Sequence, residues 1–276
     1  MPELPEVETV RQSLKLKIKD KTIKDVNIYY NGIIEYPSVK EFCKKIKGQK
    51  INDIDRYGKW LMFVLDDYYL LSHLRMEGKY FIKDKSMPII KHEHIIFDLG
   101  DIELRYHDTR KFGKMYLTSK DRLYLDPPLS LLGYEPWDEA LSSCYLKNKF
   151  NSNVPIKTLL LDQSIIVGIG NIYADEILFK SHINPLRKGK DVTIEECDLI
   201  IKYTRETLES AIKMGGTTIR SYTSSLGVTG HFQGNLLVHN KVNEPCPNCG
   251  TMIKKMKVNG RGTYYCPNCQ GDKVCI

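Results

Sequence analysis

Apolar residues open the chain at helical spacing. Val7, Val10, Leu14 and Ile18 mark one buried face of a helix. The stretch before them, Pro2-Glu-Leu-Pro-Glu6, reads as a helix start. Pro5 has no N–H to leave unpaired in a first turn, and Glu6 and Glu8 suit the positive end of the helix dipole. Beyond Lys21 the period shortens. Ile23, Val26, Ile28 and Tyr30 alternate loosely. Strand-like runs follow at 59–65 and 68–74, joined at Asp66-Asp67, and then at 94–99, 102–107 and 114–118. Gly100-Asp101 reads as a tight hairpin turn. Short strands at regular spacing predict an antiparallel sandwich or barrel, placed at residues 1–133.

A proline-rich segment, with Asp126-Pro-Pro128 and Glu135-Pro-Trp137, breaks this pattern and reads as a linker. Residues 134–150 are assigned to that linker and the start of a helical region, and 151–234 to the helical domain. Pro155 opens a short helix ending near Asp162, and a second runs from Asn171 to about Phe179. Thr193-Ile-Glu-Glu196 has the form of a capping box. It starts a helix with apolar Cys197, Ile200, Ile201, Leu208 and Ile212, stopped by Gly215-Gly216. A polar, glycine-rich stretch, 217–234, has the length of a functional loop. Residues 235–276 form the last unit.

The composition of the 276 residues, 42% hydrophobic and 27% charged, is that of a soluble globular protein. There is no apolar run of membrane-span length, and the acidic N-terminus is unlike a signal peptide. A cytoplasmic location is expected. Lys and Arg (41) exceed Asp and Glu (34), a net +7 that suits a polyanionic partner without requiring one. The excess is concentrated late in the chain: Lys241, Lys254, Lys255, Lys257, Arg261 and Lys273 stand against Glu244 and Asp272.

Of eight cysteines, four form Cys246-Pro-Asn-Cys249 and Cys266-Pro-Asn-Cys269. Two such knuckles present four thiolates to one tetrahedral zinc. The spacer reads as a hairpin turning at Asn259-Gly260, with Arg261 at its tip. Four cysteine ligands leave no open coordination position, so the zinc is structural, and a module this small draws its folding energy from the metal.

Other motifs admit two readings each. Gly168-Ile-Gly-Asn-Ile-Tyr-Ala174 matches a dinucleotide-binding pattern, but no βαβ unit surrounds it. What remains is a glycine turn entering a helix, where backbone N–H groups and the Asn171 amide suit a phosphate. His92-Glu-His94 places two imidazoles on one face of a strand; they could ligate zinc but have no obvious third ligand, and a phosphate contact or plain exposure suits them better. Lys59, after Gly58, is a solvated lysine, a phosphate contact or a proton donor. Asp108-Thr-Arg-Lys-Phe-Gly113 sets Arg110 and Phe112 two apart, either for insertion into a base stack or as a hairpin with a buried Phe. At the N-terminus, removal of Met1 would make Pro2 a free secondary amine, able to attack an electrophilic carbon and form an iminium. Glu3 and Glu6 lie beside it as proton carriers. A helix N-terminus opposes protonation of such an amine.

Taken in order, Pro2-Glu-Leu-Pro-Glu-Val-Glu-Thr9, Leu74-Arg-Met-Glu-Gly-Lys-Tyr80, Asp108-Thr-Arg-Lys-Phe-Gly113, Leu132-Gly-Tyr-Glu-Pro136, Gly168-Ile-Gly-Asn-Ile-Tyr-Ala-Asp-Glu176, Gly215-Gly-Thr-Thr218 and the four-cysteine finger resemble the bacterial formamidopyrimidine-DNA glycosylases over nearly the whole chain. The resemblance implies an α+β multidomain fold: an N-terminal β-sandwich with a leading helix, a helix–two-turn–helix domain and a zinc finger, with DNA between the lobes. It implies a monomeric base-excision repair enzyme acting on double-stranded DNA that carries an oxidised purine or an abasic site. By the same carry-over Pro2 attacks C1′ of a flipped nucleotide, Glu3 donates the proton in base excision, and Glu6 supports. Lys59 assists β-elimination. Arg261 serves δ-elimination and contacts phosphate. Met76, Arg110 and Phe112 fill the gap in the duplex, with Arg110 facing the orphaned cytosine, and His92 and Asn171 contact phosphates. Glu77, Thr217, Thr218, Arg220 and Tyr222 recognise the lesion, the last four in a capping loop at 217–230.

The chain departs from the family in its uncharged Asn151-Ser-Asn153, which removes one expected DNA contact, and in its Val274-Cys-Ile276 tail. The sister endonuclease VIII group, which prefers oxidised pyrimidines, tends to open Pro-Glu-Gly-Pro; here Leu4 occupies the glycine position. A DNA-binding protein without catalysis is the third reading.

Overall fold

The computed structural model describes residues 1–217 and 230–271. Its chain divides into two compact units, Met1–Leu131 with Gly215–Gly230, and Leu132–Met214 with His231–Ile276.

The first unit opens with helix α1 (Leu4–Ile18). It continues with β1 (Asp25–Ile28), β2 (Ile34–Tyr36), helix α2 (Val39–Ile46), β3 (Asp53–Tyr57), β4 (Trp60–Val64), β5 (Tyr68–His73), β6 (Lys79–Asp84), β7 (Glu93–Asp98), β8 (Ile102–His107) and β9 (Lys114–Ser119). Two sheets form, ordered β1-β7-β8-β6 and β2-β9-β5-β4-β3. All pairings are antiparallel except the short β2–β9 contact. One core joins them: Val7, Val10, Leu14 and Ile18 of α1 meet Leu61, Phe63, Leu70 and Leu117 of one sheet and Ile95, Phe97, Leu104 and Tyr106 of the other. This is the expected β-sandwich with its leading helix.

Helix α1 packs on β3 and β4. Glu8 accepts from Arg11 Nη2 at 2.7 Å and from Arg56 Nε of β3 at 3.2 Å. Burial alone would raise the Glu8 pKa, but the hydrogen bonds and charges of the two arginines hold it below the usual carboxylate value. Helix α2 and strands β3 and β6 lie outside the runs read from the sequence. Strands β3 and β6 carry charged residues that interrupt their apolar pattern, whereas α2 keeps Val39, Phe42, Cys43 and Ile46 on one face at helical spacing.

The second unit holds α3 (Ser143–Lys149), α4 (Ile156–Leu160), α5 (Asn171–Lys180), α6 (Ile194–Lys213) and the hairpin β10 (Lys254–Val258)–β11 (Arg261–Tyr265). Pro155 caps α4, as its position suggests. The capping box also forms: the Thr193 hydroxyl accepts the Glu196 N–H, and the Glu196 carboxylate accepts that of Thr193 at 2.8 Å. Gly215 and Gly216 follow the end of α6 with φ of 73° and 79°.

A buried ionic network ties the hairpin to the helices. Lys157 Nζ, fully buried, donates to Asp175 Oδ1 at 2.7 Å, to the Gly262 carbonyl at 3.1 Å and to Thr263 Oγ1 at 2.9 Å. His239 Nδ1 stands 2.7 Å from the other Asp175 oxygen. A carboxylate can only accept, so the ring proton sits on Nδ1. The neighbouring Glu176 carboxylate accepts the N–H groups of Leu237, Val238 and His239. Its burial pushes the pKa up, against the pull of those three donors. Among the described residues no helix is long and apolar enough to cross a membrane.

Lys157→Met removes the cation and leaves Asp175 buried against His239. Loss of one partner of a buried pair costs about 3–5 kcal/mol, read as a fall in the urea midpoint. Lys157→Met combined with Asp175→Leu should recover part of that loss, because no uncompensated carboxylate remains.

Candidate active site and nucleic-acid interface

Pro2 is buried ahead of α1, and Glu3 occupies the N-cap with extended backbone (φ −99°, ψ −174°). The Glu3 N–H donates to Glu6 Oε2 at 2.8 Å. The other Glu6 oxygen accepts the Thr217 N–H at 2.8 Å and the Thr217 hydroxyl at 3.0 Å. One carboxylate therefore clamps residues 3 and 217. Gly216 makes that approach possible. Its φ of 79° favours glycine, and a Cβ there would lie 2.7 Å from Glu6 Oε1. Thr218, Arg220 and Tyr222 lie outside the described residues.

Lys59 follows Gly58 in the β3–β4 turn and is 5% exposed. Beside it, paired with Trp60 across β4–β5, stands His73, which the sequence reading overlooked. Its Nδ1 accepts the Arg75 N–H at 3.0 Å. Burial, with the charges of Arg75 and Lys59, depresses the His73 pKa from 6.5 to about 3. The imidazole is neutral at physiological pH and cannot compete with Lys59 for an anion through charge.

Two loops of the sandwich carry the exposed residues. The β5–β6 loop presents Met76, 37% exposed, and Glu77. The β8–β9 loop presents Arg110 and Phe112, with the guanidinium 4.7 Å from the ring centroid. Phe112 is 48% exposed, so the reading with a buried Phe does not hold. The Asp108 carboxylate shapes this loop by accepting the N–H groups of Arg110 at 3.0 Å and Gly113 at 2.8 Å. Glu77 accepts from the Thr109 hydroxyl and links the two loops.

His92 is not on a strand. It sits at φ 73° just before β7, so strand alternation does not govern its direction. The His92 and His94 rings nonetheless lie 6.1 Å apart, edge to face, with His107 5.7 Å from His92. His94 Nε2 is engaged by the Asp108 carbonyl at 2.9 Å. Among the described residues no metal-binding cluster includes these histidines.

In the second unit Asn171 begins α5 after Gly168 and Gly170. Its Nδ2 donates to the Gly262 carbonyl at 2.9 Å. The amide is thus held beside the hairpin tip, where Arg261 is exposed. Asn259 Nδ2 bonds Thr158 Oγ1 at 3.0 Å, and with Lys157 this sets the tip on α4 and α5. The four predicted cysteines converge. Their sulfurs lie within 4.8 Å of one another, with Cys246–Cys269 at 3.8 Å and Cys249–Cys266 at 3.5 Å. A tetrahedron with Zn–S bonds of about 2.3 Å has edges of roughly 3.8 Å. The site fits one structural zinc.

Three family models match the chain: the formamidopyrimidine-DNA glycosylase N-terminal domain over residues 1–115, the H2TH domain of the same glycosylase over 132–223, and a zinc finger found in FPG and IleRS over 243–271. The formamidopyrimidine-DNA glycosylase of Bacillus subtilis is 47% identical over 276 residues, covering 99% of this chain and 100% of that protein. That of Bacillus cereus is 46% identical over 273 residues, covering 98% and 99%.

The chain belongs to the formamidopyrimidine-DNA glycosylase family.

Solved members of the family superpose closely. A Lactococcus lactis variant in complex with DNA containing Fapy-dG has a TM-score of 0.92 at 39% identity, covering 98% of this chain and all of that one. The Lactococcus lactis protein with abasic-site DNA has a TM-score of 0.91 at 39% identity, covering 98% and 99%.

Two outcomes test this geometry. Gly216→Ala forces a left-handed alanine, costing about 1 kcal/mol, and pushes Glu6 off Thr217. Calorimetry should show a lower Tm, and base excision should slow with it, whereas Gly234→Ala, with open space around its Cβ position, should change neither. His73 favours the neutral ring in the folded state, so its contribution is full above about pH 6.5 and is lost as pH falls towards about 3. Between pH 6.5 and 5 the loss is roughly 2 kcal/mol. His73→Gln, which keeps an acceptor for Arg75, should flatten that part of the urea-stability profile.

Proposed function

We propose that this protein excises oxidised purines, 8-oxoguanine and formamidopyrimidines, from double-stranded DNA and then cleaves the resulting abasic site. Family membership supports the substrate class. The observation that carries the chemistry is the Glu6 carboxylate holding both Thr217 and Glu3, the residue next to Pro2 in the chain.

With Met1 removed, the Pro2 secondary amine attacks C1′ of the damaged nucleotide. The C1′–N bond breaks, the base leaves with its electron pair, and Glu3 supplies the proton that neutralises it. The sugar ring opens to a C1′ iminium on Pro2. That electron sink acidifies C2′, so loss of a C2′ proton expels the 3′ phosphate by β-elimination, and a second elimination expels the 5′ phosphate. Lys59 is assigned to the first elimination and Arg261 to the second. Glu6 keeps the N-terminus of α1 in place and carries no proton in this scheme.

Met76, Arg110 and Phe112 are assigned to the gap left by the flipped nucleotide, with Arg110 towards the unpaired cytosine. The Arg110–Phe112 stack keeps a cation and an aromatic face together in a form suited to base edges and stacking. His92, Asn171 and Arg261 are assigned to phosphates. Glu77, Thr217, Thr218, Arg220 and Tyr222 are assigned to the lesion.

Borohydride reduces an iminium to a stable amine, so incubation with an 8-oxoguanine:cytosine duplex should trap a covalent complex mapping to Pro2. Pro2→Gly should lower excision by orders of magnitude. One residue placed before Pro2 in the mature chain should abolish trapping while zinc content and DNA affinity persist. Trapping at a lysine, or full activity in the extended chain, would overturn the assignment. Faster cleavage of a thymine-glycol duplex would place the substrate class with oxidised pyrimidines.

A further inference from the structure

Among the described residues the largest fully buried side chain is that of Arg105 in β8, and no step of the proposed chemistry uses it. Its neighbours Leu104 and Tyr106 enter the sandwich core, so strand alternation turns Arg105 to the outer face of the sheet. There it is covered by the β6–β7 loop. All five guanidinium N–H groups are taken. Nε and Nη2 reach Glu103 Oε2 at 2.8 and 2.7 Å. Nη2 also donates to the Met87 carbonyl at 2.7 Å. Nη1 donates to the Pro88 carbonyl at 3.0 Å and to Glu93 Oε2 at 2.9 Å.

The same Glu93 accepts the Ile90 N–H at 3.1 Å and pairs with Lys83 Nζ at 2.6 Å. The loop is thus gripped at residues 87, 88 and 90 from one buried cation and its carboxylate. Such a grip is needed, because the loop brings little apolar anchorage of its own: Met87, Ile89 and Ile90 are each about half exposed. The loop ends at His92, whose carbonyl accepts the Asp108 N–H at 3.0 Å. Asp108 in turn shapes the turn that carries Arg110 and Phe112.

We infer that Arg105 is a positioning residue for DNA binding: through the Met87 and Pro88 carbonyls and Glu93 it sets His92 and, through Asp108, the Arg110–Phe112 loop. The inference rests on the proposed contact of His92 with a DNA phosphate. Lysine keeps the charge but offers three donors from one point and cannot span two carbonyls and two carboxylates.

Arg105→Lys, His92→Ala and the double variant are compared on a duplex holding a tetrahydrofuran abasic analogue, with hydrogen exchange recorded on the free proteins. Arg105→Lys should raise exchange in residues 85–92 and 108–113 while the α6 amides keep their protection. Its log K against log salt slope should become shallower by about one unit, the worth of one phosphate contact. His92→Ala should show the same slope, and the double variant should lose no more than Arg105→Lys alone. Single-turnover excision at saturating duplex should change less than affinity. Unchanged exchange in 85–92, or losses that add in the double variant, would overturn the inference. If His92→Ala leaves the slope unchanged, the phosphate assignment fails, and Arg105 is then judged by exchange alone. Should Arg105→Lys not fold, Glu103→Gln removes the charge of the carboxylate whose one oxygen takes both Nε and Nη2 and leaves the loop sequence intact; a shallower slope supports the inference and an unchanged one refutes it.

Discussion

The Glu6 carboxylate is the interaction on which the proposed chemistry most depends. A helix N-terminus leaves several N–H groups without partners. Here one of the donors, the Glu3 N–H, goes to Glu6, and the second Glu6 oxygen takes the backbone and hydroxyl of Thr217. Both oxygens are therefore committed, and the carboxylate is fixed in place. A residue so held is a poor proton carrier and a good anchor. That separates it from Glu3, although either residue looked equally suited to proton transfer from its place in the sequence.

The second unit solves a different problem with similar means. A small zinc finger has little core of its own. Its apolar cluster, Phe179, Val238, Ile253 and Tyr264 with two of the cysteines, borrows Phe179 from α5. The Lys157–Asp175–His239 network adds directional bonds to Gly262 and Thr263 beside Arg261. Burying three polar side chains adds little net stability compared with apolar packing. It does determine where the hairpin tip stands relative to Asn171, which an apolar contact would leave less sharply defined.

In the sandwich the same principle operates through loops. The exposed Arg110 and Phe112 sit on a turn held by the buried Asp108 carboxylate, and Arg105 holds the neighbouring β6–β7 loop. Loops fixed in advance by such bonds leave less ordering cost at the moment of binding.

Several elements were legible in the sequence because local physics specifies them. The α1 face, the hairpins around Asp66-Asp67 and Gly100-Asp101, the Thr193 capping box and the glycine stop after α6 each follow from periodicity, turn chemistry or capping within a few residues. The zinc site was equally legible, since two C-x-x-C knuckles carry their own geometry. Strands β3 and β6 were not, because their charged positions blur the apolar period and packing against the sheets selects their conformation, whereas α2 carries its own signal in Val39, Phe42, Cys43 and Ile46 at helical spacing. His92 falls outside β7 for a different reason: its φ of 73° breaks the strand one residue before Glu93. The bond of Glu6 to Thr217, of Asn171 to Gly262 and of Arg105 to Met87 and Pro88 join residues far apart in the chain or across a folded loop. No local pattern encodes such pairings, because a carboxylate or guanidinium states its charge in the sequence and acquires its partner only when the tertiary structure brings one within hydrogen-bond reach.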